Sequence, residues 1–262
     1  PTRRSSDLSH MVMPFPNWPT LQENLLMFQA YGVQMLFEQG YNAPSSEMQP
    51  LRAYLLSKWA WDPTRDATKL IFDFTNYFYG PAGPLVREVM AAQIKDLQNS
   101  NKALTLYEPP ITHIGGYLAP ANLKWALNMY EKAKNLEGMS SAQITRIEMA
   151  EQSIRYALIE VGKSPLAGPD WYFNDNQAFY LKLLKDFVWC AQANGPKLLH
   201  ETRLSPNEFY EKTLQFWKEA KVQHLAKGQQ LKYHNLPAAS YKDGLQLNDT
   251  TSWTQTSSLN DG

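Results

Sequence analysis

The stretch Gly32–Gly40, GVQMLFEQG, decides how the rest of the chain is read. Val33, Met35, Leu36 and Phe37 make a short, nearly continuous apolar run between two glycines. A run of that length reads as a strand buried on both faces, as in a parallel sheet. It stops at Glu38, Gln39 and Gly40, so the strand would deliver a carboxylate to its own C-terminal end, which is where α/β barrels keep their chemistry. The same Glu38 would also serve as a turn cap or as the partner of a nearby arginine.

On the N-terminal side, MVMPFPNWP (residues 11–19) reads as a strand end running into a proline-rich loop. Thr20 with Glu23 gives a capping-box pattern, Leu21, Leu25, Leu26 and Phe28 give a helical apolar face, and Gly32 closes the helix. Loop, helix, glycine and buried strand make one αβ step. The residues before Met11, PTRRSSDLS, are polar and aperiodic and read as a non-native leader, which excludes residues 1–10 from the fold.

On the C-terminal side the alternation ends. YNAPSSEMQP is a loop, and helices are expected over Leu51 to about Trp59, from a cap at Asp66 through Phe78, and from Gly83 to about Leu97. Residues 104–120 are irregular. Further helices are expected over Pro120 to about Asn135, Ser140 to Val161, about Asn174 to Ala193, and Ser205-Pro206 to about Lys227. From His234 the chain is rich in Asn, Asp, Ser, Thr and Gly and carries no helical pattern. Tyr77, Tyr79, Trp59 and Trp61 sit at helical spacing among apolar residues and are expected in the core.

Composition narrows the function classes. Lys plus Arg and Asp plus Glu are 25 each, a net charge of zero, which argues against a nucleic-acid or anionic-membrane surface as the main partner. No apolar run approaches the roughly 20 residues of a membrane span. Cys190 is the single cysteine, so no intrachain disulfide forms. The five histidines lack ligand spacing, so no metal is expected, and no cofactor motif is present.

The polar candidates flank the αβ step. Asn17 and Trp18 follow the first presumed strand; Glu38, Gln39 and Tyr41 follow the second. In a barrel these two loops lie side by side on the catalytic face. A carboxylate, amides and aromatic rings gathered there suit a sugar site, with Glu38 as the acid–base or nucleophilic group and Asn17, Trp18, Gln39, Tyr41 and Arg52 as substrate ligands. Arg52 would reach Glu38, or only cover helix surface. Asn17 would otherwise be a turn residue and Trp18 a lid on the core.

GVQMLFEQG, then LRAYLLSKWAWDP with Asp66 close behind, then DFTNYFYGPAGPLVRE, resembles the C-terminal part of the family called domain of unknown function 4838. The resemblance covers about Pro14 to Arg87, with Phe78 and Val89 departing from the usual residue types. Members are similar to alpha-glucuronidases and other polysaccharide-degrading glycoside hydrolases. The resemblance implies a mainly α chain: a βα remnant of a (β/α)8 glycoside hydrolase-type barrel over residues 11–100, an all-helical domain over 101–233, and a tail over 234–262 that looks like the start of a discoidin-like sugar-binding β-sandwich. It implies a glycan partner and a secreted, periplasmic or cell-surface location. It also implies that the general acid lies upstream, leaving this stretch inactive alone. The alternative is a non-catalytic helical module that binds carbohydrate or protein.

Overall fold

The computed structural model describes residues 10–37, 47–105, 108–200 and 203–219. Among these residues every regular element is helical. The α-helices are α1 (Trp18–Ala30), α2 (Gln49–Trp61), α3 (Ala67–Tyr79), α4 (Gly83–Ser100), α5 (Pro120–Lys134), α6 (Ser141–Gly162), α7 (Gln177–Asn194) and α8 (Pro206–Glu219). The mainly α expectation therefore holds for the described residues.

The starts of these helices follow local chemistry. Asp66 accepts a hydrogen bond from the Lys69 N–H at 2.6 Å and opens α3. At α6 the Ser140 hydroxyl accepts from the Gln143 N–H at 3.3 Å while the Gln143 side chain accepts from the Ser140 N–H at 2.9 Å, a closed capping box. Ser205 and Glu208 repeat the device at α8, with 3.3 Å and 2.7 Å bonds. Gly32, with φ of +70°, takes the left-handed turn just past α1 that a Cβ would disfavour.

Consecutive helices pack on one another along α1–α2–α3–α4–α5–α6–α7–α8, and α6 also packs on α3, which folds the row back on itself. α6 is buried around most of its circumference, with Ile147, Ile154, Tyr156, Ala157, Leu158, Ile159 and Val161 inaccessible to solvent, as expected for a helix at the centre of a bundle. Its buried carboxylate, Glu151, lies 3.0 Å from both Lys134 and Arg155, so its charge is compensated on both sides. One cluster of buried apolar side chains runs from Val12 to Trp217.

Two expectations are corrected. Residues 32–37 of the deciding stretch form no strand, and Val33, Met35, Leu36 and Phe37 are exposed, Met35 at 87% and Phe37 at 89%. A strand needs a neighbour to pair its backbone, and no described segment offers one. For the same reason residues 11–17 are not a strand end, and the βα barrel remnant is absent among the described residues. Glu38, Gln39, Gly40 and Tyr41, residues 1–9 of the leader and the tail from His234 lie outside the described residues, whereas His10, the last residue excluded as leader, packs on the fold through Tyr156.

The second correction concerns the four aromatics. Trp59 and Tyr79 are buried at 1% and 2%, but Trp61 and Tyr77 are exposed at 90% and 84%. Each pair is two residues apart on one helix, which puts its members roughly 200° apart around the axis.

Candidate functional site

Three of the expected site residues come together. Asn17 precedes α1 at its N-cap position without a side-chain capping bond, Trp18 is the first residue of the helix, and Arg52 stands on the first turn of α2, which packs against α1. The Arg52 Nε donates to the Asn17 side-chain oxygen at 3.2 Å, and the guanidinium lies 4.3 Å from the Trp18 ring centroid. Its terminal nitrogens also donate to the carbonyls of Phe15 and Glu47. The Arg52 fork thus fastens the loop before α1 to the start of α2.

The carboxylate at this place is Glu47. Its Oε2 lies 2.5 Å from Arg52 Nη2, with the Glu47 side chain 3% and the Arg52 side chain 23% exposed. That contact is a close ion pair. Burial pushes the Glu47 carboxyl above its ordinary pKa, and the Arg52 charge and the Phe15 N–H oppose that push. Around it are buried phenols. Burial, reinforced by the Glu47 charge, pushes Tyr79 and Tyr117 upward, so both stay protonated. Tyr79 donates to the Met48 sulfur at 3.5 Å and Tyr117 to the Pro14 carbonyl at 3.1 Å. Glu47 was read only as part of a loop. A signal existed: a carboxylate just ahead of a Gln-Pro helix start, five residues before an arginine.

The arrangement holds backbone in place. Arg52 uses its donors internally, and the Trp18 ring is 2% exposed. The nearby Gln22 side chain ties α1 to the loop after α2, donating at 2.8 Å to the carbonyls of Pro63 and Arg65.

A pocket opens elsewhere, between α4 and α5. It has a volume of about 170 Å³ and is lined by Gln93, Asp96, Asn122 and Trp125 over a floor that includes Tyr117 and Leu123. The Asn122 amide donates to Asp96 at 2.8 Å. A wider, shallower hollow of about 590 Å³ lies between the end of α7 and the start of α8, with Lys197 on its wall.

Two histidines far apart in sequence also meet. His10 Nδ1 is 2.6 Å from the Tyr156 hydroxyl, and the His10 and His200 rings are 5.4 Å apart. The Met11 N–H donates to the Leu199 carbonyl at 3.2 Å, pinning the N-terminal segment beside them. Burial lowers the pKa of both, that of His200 to about 4. Among the described residues no group of three or more His, Cys, Asp or Glu side chains is placed to hold a metal ion. No helix among them is long and apolar enough to cross a membrane.

Among the described residues the chain is thus a helical protein, with a buried Glu47–Arg52 clasp and a small polar pocket. Residues 5–91, about a third of the chain, match the family model described as Domain of unknown function (DUF4838). That match supports the family for this stretch, and it begins inside the segment read above as a leader. No curated protein and no solved structure matches the chain.

Proposed function

We propose that this chain is the helical part of a carbohydrate-active protein of glycoside hydrolase type, contributing glycan binding and no cleavage by itself. The observation that supports the reading most is the apolar run leading to Glu38. Val33, Met35, Leu36 and Phe37 are all exposed, in a sequence whose composition suits a covered strand. A neighbouring sheet laid on this run would cover it and set Glu38 at a strand end, where a barrel hydrolase keeps a carboxylate. Hydrolysis needs two carboxyl groups, about 5–5.5 Å apart for retention or 6.5–9.5 Å for inversion. Asp96 is the single carboxylate in the α4–α5 pocket, and Glu47 is committed to Arg52. The resemblance of GVQMLFEQG, LRAYLLSKWAWDP and DFTNYFYGPAGPLVRE to a family similar to glycoside hydrolases is what supports the hydrolase class.

Affinity electrophoresis of the purified chain, in gels cast with a panel of neutral and acidic plant and host polysaccharides, tests the reading. Retardation by at least one polysaccharide is the expected result. Migration unchanged in every gel would overturn it.

A further inference from the structure

We infer that the pocket between α4 and α5 is a subsite for one uncharged sugar ring. The inference rests on the glycan reading above and names the place and class of sugar. It starts from Gln93. Gln93 is 8% exposed as a residue and lines the pocket, and its amide is not sealed in the protein interior. The amide therefore opens into the pocket, where it offers a ligand both a donor and an acceptor. Asp96 stands on the α4 side with Gln93 and Asn122 faces it from α5, the two oriented by their mutual 2.8 Å bond, and the Asn122 amide also reaches the Gly116 carbonyl at 3.4 Å. The oriented pair keeps its geometry before any ligand arrives.

The remaining lining is apolar and flat. Trp125 is 37% exposed at the pocket, and Leu123 and Ala126 close it from below. A ligand that fits must present an apolar face to the indole and hydroxyl groups to a carboxylate and two amides. A pyranose ring has that division: C–H groups on one face and hydroxyls at the edge, each both donor and acceptor. The volume of about 170 Å³ is below the range of roughly 300 Å³ upward for drug-sized ligands, so one ring fits and a chain does not. Asp96 is the sole charged group on the wall. It would repel a uronate carboxylate and accept from a neutral sugar's hydroxyls. The site therefore selects a neutral residue of the glycan, such as a pentose or hexose unit, over an acidic one.

The test is a titration of the isotope-labelled chain with methyl β-D-xyloside, methyl β-D-glucoside and D-glucuronate, read on the Trp125 indole N–H and the Gln93 and Asn122 side-chain amides by NMR. At least one neutral glycoside should shift these signals saturably, with glucuronate at least tenfold weaker. Gln93→Met removes the amide and keeps the volume. It should lose at least tenfold in affinity with no drop in melting temperature, and Trp125→Ala should lose binding as well. Unmoved signals, shifts that survive Gln93→Met, or glucuronate binding as well as the neutral sugars would each overturn the subsite. If polysaccharide retardation persists while the pocket signals stay still, the subsite falls and the glycan reading stands. If both vanish, both fall.

Discussion

Arg52 and Glu47 lie against each other at the start of α2, with Nη2 2.5 Å from Oε2 and the carboxylate 3% exposed. Removing one partner of a buried pair leaves a charge without compensation, which costs about 3–5 kcal/mol. Arg52→Met should therefore lower the unfolding free energy in urea by about 3 kcal/mol or more. Adding Glu47→Gln to it should restore part of the loss, because no bare charge is left buried. Equal stabilities for the single and double variants would show that the pair is not coupled.

Gly162 ends α6 where Tyr180 of α7 presses on it, and a Cβ at this position would stand 2.3 Å from the tyrosine ring. Tyr180 is fully buried and anchored by its 2.5 Å bond to the Trp171 carbonyl, so the ring has nowhere to go. Gly162→Ala should destabilise by about 1–3 kcal/mol, as overpacking does, against the usual gain of alanine over glycine in a helix. A rise in melting temperature would show that α6 and α7 separate freely here.

Acid should loosen the fold through its buried histidines. Burial lowers the pKa of His10, His113 and His200, the last from an ordinary 6.5 to about 4, with His10, Arg203 and Lys212 adding to the fall and Glu160 opposing it. Between about pH 4 and 6.5 the unfolded chain then binds more protons at His200 than the folded chain. Stability should thus be full above pH 6.5 and decline as pH falls toward 4, at up to about 1.4 kcal/mol per pH unit for each histidine. His200→Gln should flatten the slope of unfolding free energy in this window. An unchanged slope in that variant would remove His200 from the account.

The helices were legible because their ends are written locally. Asp66, Ser140 and Ser205 each stand where a polar side chain meets an N–H three residues on. The run at Val33–Phe37 misled because a short apolar run has no period of its own, and whether it becomes a strand depends on a neighbour. Trp61 and Tyr77 misled because aromatic character says nothing about which side of a helix faces inward. The pairing of Arg52 with Glu47 had a local sign in the residues ahead of α2. The meeting of His10 with His200, and of Asp96 on α4 with Asn122 on α5, had none, since tertiary contacts between distant segments bring them together.

The claim at the centre of this account, that the chain binds glycan and does not cleave it alone, is tested most directly by one proton NMR time course on a defined xylo-oligosaccharide mixed with the purified chain. The expected result is broadening of the sugar resonances from the first spectrum, with no new anomeric signals after prolonged incubation. Sharp, unshifted sugar lines would contradict the binding, and new anomeric doublets would contradict the dependence of hydrolysis on a second carboxylate outside the described helices.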